Sequence, residues 1–234
     1  TLGIYSAWAK VRKLRYFYGN TSIEDGSFDY HASPKAILIG RIIAVSALFI
    51  YYLLTQYLPV AGLILITVIV LLIPVLVVRA RVFQMRNTSY HGLRFNFQRN
   101  YKDSFKTFYG GAVVAVLSLG LAAPTAIYWR NRFVANNSAF GQTPFVFSGQ
   151  QGEFYKIFWA SVGLAILGVL GILLITGFVG GIANEMSGGS AVMAQLAAFI
   201  TVLPLLVFYA AIGIYVQVRQ RNYVWNTTSL GGNS

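Results

Sequence analysis

The chain has 234 residues, is 56% hydrophobic with mean hydropathy +0.62, and carries 10% charged residues, where a soluble domain carries about 25%. Eighteen Lys and Arg against six Asp and Glu give a formal charge of +12, and there is no cysteine. This excludes a disulfide framework and thiolate chemistry, argues against a soluble enzyme, and points to a membrane protein whose basic residues meet anionic lipid headgroups.

The first stretch, "TLGIYSAWAKVRKLRYF" at residues 1–17, lacks the apolar core and cleavage site of a signal peptide. It interleaves basic and aromatic side chains, as a nucleic-acid platform does, but an apolar span follows and holds it at the bilayer. No nucleic-acid partner is therefore expected. Lys10, Arg12, Lys13 and Arg15 are predicted to contact anionic lipid, and Trp8, Tyr16 and Tyr18 to sit at the interface. The stretch begins in mid-pattern, so the natural protein is expected to extend beyond both ends of this sequence.

A polar, aromatic, basic phrase follows, "RYFYGNTSIEDGSFDYHAS" at 15–33, and it recurs at 85–98 ("MRNTSYHGLRFNFQ"), 132–149 ("RFVANNSAFGQTPFVFSG") and 221–234 ("RNYVWNTTSLGGNS"). Within it, Phe28/Tyr30, Phe95/Phe97 and Phe145/Phe147 alternate with other residues, which predicts short strands. Asn-Thr-Ser, Asp25-Gly26 and His91-Gly92 read as turns ahead of those strands. Four small β-hairpins are expected, joined to helix ends, with Pro34 opening a helix and Ser33 as its N-cap.

Between the phrases lie five apolar segments: about Ala36–Leu58, Pro59–Val78, Phe108–Trp129, Phe158–Val179 and Ala191–Val216. Each reaches the roughly 20 residues that a membrane-spanning helix needs. Arg41 falls near the inner end of the first, where its stem can reach headgroups. Pro74, Pro124 and Pro204 predict kinks. Arg130 and Arg132 with Trp129, and then Arg219 and Arg221, repeat the juxtamembrane arrangement of the first stretch and are expected to contact anionic lipid.

The basic residues collect around the phrases, whereas the connections near 55–60 and 180–190 carry none. The positive-inside rule places the phrases in the cytoplasm. Asn20, Asn87, Asn136 and Asn226 match a glycosylation signal that would demand the opposite side, and the basic residues outweigh it. If the third and fifth segments simply spanned, the last five basic residues would lie outside. Gly110-Gly111, Gly120 and Pro124 allow the third segment to be broken or re-entrant instead. The predicted fold is an all-α polytopic membrane protein with small cytoplasmic β-hairpins. Two helical hairpins, 36–78 and 158–216, flank a broken centre. Residues 1–22 align without gaps 117 residues further on, so an internal duplication is expected, with halves 1–117 and 118–234.

The motifs "TLGIYSAWAKVRKLRYFYGNT" at 1–21, F-x-Y at 28–30 and F-x-F-x-G-x-x-x-E-F at 145–154 resemble the YjgN-like family of bacterial inner-membrane proteins, named for a domain of unknown function. The second copy departs from the first, with Pro124-Thr125-Ala126 in place of Ala7-Trp8-Ala9. The resemblance implies a multi-pass protein of the bacterial inner membrane and supplies no catalytic residues.

Catalysis has little to work with. His31 and His91 fall in different hairpins, and Glu24, Asp25 and Asp29 read as turn solvation rather than as a cation site with His31. No G-x-S-x-G, P-loop or H-E-x-x-H occurs. No catalytic, cofactor or metal residue is expected, and the protein is predicted not to be an enzyme. The expected function is that of a structural or accessory subunit associating with a larger membrane complex or with lipids. The alternative is a transporter or channel for a small solute, which a cavity lined by Ser118, Thr125 or Thr176 would favour.

Overall fold

In lipid, backbone polar groups find partners only within their own segment, so long apolar runs become helices. The structure, a computed structural model, describes residues 5–23, 26–187 and 191–231. The Glu24-Asp25 turn and both chain ends lie outside them. The helices are α1 (Tyr5–Gly19), α2 (Pro34–Tyr57), α3 (Pro59–Arg86), α4 (Tyr101–Leu117), α5 (Ala123–Asn136), α6 (Gln151–Ser187) and α7 (Ala191–Asn226). Among the described residues, four stretches are long and apolar enough to cross a membrane: Pro34–Tyr57, Pro59–Arg86, Gln151–Phe178 and Leu203–Asn226. Helix α6 runs past the predicted end of its apolar segment at Val179 as far as Ser187.

The third apolar segment is not one helix. Residues 118–122 separate α4 from α5, and the chain reverses there. Gly120 N–H donates to Ala115 O (2.7 Å) and Leu119 N–H to Val116 O (3.0 Å), which closes the C-terminus of α4 as a Schellman turn. Leu119 holds the left-handed position at φ 52° and Gly120 follows at φ 89°. Pro124 stands in the first turn of α5, where its missing N–H costs nothing, so it opens a helix rather than kinking one. The two helices pack antiparallel. A Cβ on Gly111 would lie 3.0 Å from the Ala126 Cβ, and the Phe108 and Phe133 rings are 6.3 Å apart.

The phrases form one seven-stranded antiparallel meander in the order β1 (Ser22–Ile23), β2 (Gly26–Tyr30), β3 (Thr88–Tyr90), β4 (Leu93–Phe97), β5 (Ser138–Phe140), β6 (Thr143–Phe147), β7 (Thr228–Leu230). The Asn-Thr-Ser runs are not turns ahead of strands. They cap the incoming helix and then become strands themselves. Asn20, Asn87 and Asn137 each donate their side-chain amide to the carbonyl four residues back, at 2.7, 2.7 and 2.8 Å. Thr227 does the same with its hydroxyl at 2.7 Å. The next residue repeats the move: Thr21, Thr88, Ser138 and Thr228 donate to the carbonyls of Phe17, Gln84, Val134 and Val224. The first side chain thus doubles a bond that its own backbone N–H already makes to that carbonyl, and the second satisfies one of the four carbonyls that every helix end leaves open. Ser33 sits at the N-cap of α2 but makes no such bond; Pro34 begins that helix as predicted.

Pairing between phrases is equally regular. Phe28↔Tyr90, Phe95↔Phe140 and Phe145↔Leu230 are equivalent partners on β2–β3, β4–β5 and β6–β7. The two-residue turn His91-Gly92, with φ 48° and 75°, has the twist that joins β3 to β4. The last phrase contributes a single strand among the described residues, not a hairpin. The second aromatic of each strand pins the sheet to helices. Tyr30 packs with Val11 and Ala32, Phe97 with Val78, Val82 and Phe133, and Phe147 with Ala135 and Phe154.

Within the apolar layer, Pro74 deprives Val70 of its helical donor. Tyr109 of α4 replaces it, donating its hydroxyl to Val70 O at 2.6 Å, and the buried Ser104 hydroxyl donates to Pro74 O at 3.0 Å. The break in the hydrogen-bond ladder of α3 is therefore what α4 grips. Tyr109→Phe is expected to cost about 1–2 kcal/mol by leaving that carbonyl unsatisfied. In a Pro74→Ala background, where the residue 74 N–H serves Val70, the same change should cost less than half as much. Unfolding in mixed micelles checks both, and equal costs in the two backgrounds would show that the bond is not a repair.

Candidate functional site

Helix α1 buries Ala7 and Val11 and turns its basic residues outward. Lys10, Arg12, Lys13 and Arg15 are exposed, as are Trp8 and Tyr16. Lys13 sits 5.8 Å from the Phe17 ring centroid, and Arg15 Nε donates to Tyr30 O at 3.3 Å. Tyr18 departs from the expected exposed position. It is half-buried, with its ring 5.6 Å from Tyr30 and 6.4 Å from Phe28, and so faces the sheet. Burial raises the Tyr30 phenol above its ordinary pKa, and Tyr18 beside it adds to the rise. Arg41 is half-buried and donates to the Ser6 hydroxyl, which ties α2 to α1.

The remaining predicted residues separate. Trp129 is half-buried, its ring 3.7 Å from where a Cβ on Gly110 would lie, so it packs across α4 and α5. Arg132 and Trp129 border a cavity of about 310 Å³ with Asp103 and Lys106. Arg219 lies over the Tyr215 ring at 5.9 Å. Arg130 and Arg221 come together with Arg81 of α3 around one cavity of about 700 Å³, which Gln217 and Gln220 also line. Among the described residues, no Asp or Glu lines it.

Arg81 is the residue that sequence reasoning missed as a site. Helical periodicity contained the signal: Arg79 and Arg86, seven apart, share a face, while Arg81 lies with Val77, Gln84 and Met85 on another. Arg79 and Arg86 border a different cavity, of about 440 Å³, with Arg99. Beneath the 700 Å³ cavity, toward the sheet, lies an apolar chamber of about 420 Å³. Its walls include Phe28, Phe95 and Phe145, and it shares Arg81, Asn131, Val134, Val224 and Trp225 with the larger space. The three Phe rings stack in a row, 6.4 Å between successive centroids.

The two histidines offer no metal set. His31 Nε2 is 2.7 Å from the Ser89 hydroxyl, and His91 meets the Tyr90 ring edge-on at 4.6 Å. Among the described residues, no three His, Cys, Asp or Glu side chains group around a common point. Glu24 and Asp25, read above as turn solvation, lie outside those residues.

No solved structure matches the chain. A curated relative, "Inner membrane protein YjgN" of Salmonella typhimurium (strain LT2), is 29% identical over 124 residues, a match covering 51% of this chain and 30% of that protein. The match thus spans less than a third of that relative's length. All of residues 1–234 match the family described as "Bacterial protein of unknown function (DUF898)", and with its resemblance to YjgN the chain belongs to that family.

Proposed function

We propose that this chain is a multi-pass protein of the bacterial inner membrane acting as a structural or accessory subunit, with its sheet on the cytoplasmic side and its basic residues on anionic lipid. One observation carries this reading: a single seven-stranded sheet collects the ends of α1 to α7 on one side, and the described Lys and Arg residues cluster at that side. The positive-inside rule then supports a cytoplasmic sheet. Lys10, Arg12, Lys13 and Arg15 stand exposed toward headgroups. The apolar outer faces of α2, α3 and α6 are left for lipid or a partner subunit, as the exposure of Ile43, Leu63 and Leu174 illustrates.

The α4–α5 pair is read as re-entrant. Its two ends join neighbouring strands, β4 and β5, of the same sheet. Its helices have 17 and 14 residues, or about 25 and 21 Å, short of the roughly 30 Å of hydrocarbon. Internal duplication is supported by the recurrence of helix, strand and helix. α1, β2 and α2 are followed 117 residues later by α5, β6 and α6. A transporter reading draws on the broken α4–α5 pair. Against it, the hydroxyls that would line a path are engaged within the protein: Thr125 with Tyr155 and Gln151, Ser118 with Ala115 O, and Thr176 with Ile172 O.

Sidedness is tested by single cysteines in this cysteine-free chain. Gln142→Cys and His91→Cys on exposed turns of the sheet should react with an impermeant maleimide only after cell lysis, while Tyr57→Cys, at the other end of α2, should react in intact spheroplasts. Labelling of residues 91 and 142 from outside would reverse the topology. For function, purification in mild detergent followed by mass spectrometry should recover anionic phospholipid or a stoichiometric partner protein. Replacing Lys10, Arg12, Lys13 and Arg15 with Gln should cut the retained anionic lipid several-fold. A bare chain that drives solute flux in proteoliposomes would replace this reading with transport.

A further inference from the structure

Arg81, Arg130 and Arg221 come from three helices and face one space. Each stands five or six residues before its helix ends, at Arg86, Asn136 and Asn226, so the three lie at a common height above the sheet. Like charges within a Debye length of about 10 Å repel, and among the described residues no carboxylate lines this space. Among the described acids, Asp29 lies on β2, Asp103 borders another cavity and accepts from Asn100, and Glu153 pairs with Lys156. An anion from outside the chain would neutralise the cluster. Guanidinium groups suit planar or tetrahedral oxyanions, which accept two parallel N–H bonds from each, and Gln217 and Gln220 add neutral donors.

The other arginine trio, Arg79, Arg86 and Arg99, is exposed throughout, so water and salt screen it. The trio on α3, α5 and α7 differs in two respects. Arg81 is half-buried, and the space it lines continues into the apolar chamber walled by Phe28, Phe95 and Phe145. A free inorganic anion would leave that chamber unfilled. A molecule with an anionic head and an apolar body would occupy both.

We propose that these joined cavities bind an amphiphile with a phosphate-type head, the head on Arg81, Arg130 and Arg221 and the apolar body along the Phe28–Phe95–Phe145 wall. This site deepens the lipid-contact part of the reading above and rests on it there, but not on its sidedness or its partner subunit. It holds whichever face of the membrane the sheet occupies and whether or not a partner subunit exists. The ligand is either a phospholipid of the bilayer or a soluble alkyl phosphate, and the shared head chemistry is the same for both.

The test uses the full chain in a neutral maltoside detergent, titrated with dodecyl phosphate and, separately, with inorganic phosphate. Dodecyl phosphate should raise the melting temperature by a few degrees. Inorganic phosphate should need a concentration about tenfold higher or more for the same effect. Arg130→Gln and Arg221→Gln, both at exposed positions and checked for native helicity by circular dichroism, should each weaken the dodecyl phosphate response about tenfold, and Arg79→Gln should leave it unchanged. Phe95→Ala should weaken the response to dodecyl phosphate and not that to inorganic phosphate. Native mass spectrometry separates the sources: a phospholipid carried from cells and lost in Arg130→Gln marks the membrane, and dodecyl phosphate binding with no carried phospholipid marks a soluble ligand. An equal response to both phosphates, a response surviving in both arginine variants, or no response at all would overturn the proposal.

Discussion

A helix leaving a bilayer presents its last four carbonyls where water is scarce and the chain must turn. This protein closes that end in the same way each time. A side chain just past α1, α3, α5 and α7 reaches back to the carbonyl four residues earlier, and the next residue does likewise. Asn and Thr suit this role because their short polar side chains can fold back on the backbone. The same residues then enter the sheet without interruption. Capping the helix therefore also sets where each strand begins.

From that fixed start the sheet follows. The carbonyl of the capping residue accepts from the N–H just beyond the preceding strand: His31 to Asn87, Gln98 to Asn137 and Ser148 to Thr227, at 2.8 to 2.9 Å. With the register set, the aromatic side chains divide by position. Tyr30, Phe97 and Phe147 are buried against helices. Phe28, Phe95 and Phe145 stack on one another. A slip of one residue would turn both sets to the wrong face. Cap, register and aromatic row thus form one device, used at each junction between phrases.

Much of this was legible in the sequence. The long apolar runs gave α2, α3, α6 and most of α7, and the F-x-Y/F alternation gave β2, β4 and β6. Gly120 and Pro124 marked the break that separates α4 from α5. The role of Asn-Thr-Ser was misread as a turn because local propensity cannot tell an Asn that bends a loop from one that bonds back to a helix. Tyr18 and Trp129 look like interface aromatics in one dimension; their packing depends on where β2 and α4 lie. The meeting of Arg81, Arg130 and Arg221 was the least legible feature. These residues lie 49 to 140 positions apart in the chain, and only the meander brings their helices to one place.

The direction of those helices accounts for part of the arginine placement but not all of it. α3, α5 and α7 all arrive at the sheet by their C-termini, so each brings the negative end of its dipole, and a basic residue near that end is favoured by about 0.3–1 kcal/mol. Arg86, in the last turn of α3, obtains this benefit while facing another cavity. The dipole is therefore indifferent to which way a guanidinium points around its helix. It falls off within the last turn, and Arg81, Arg130 and Arg221 lie beyond that range. Convergence on one space is thus not a by-product of helix capping or of the positive-inside bias. Repulsion among three cations opposes it, and the anionic head proposed for this space is the counter-force that would offset it.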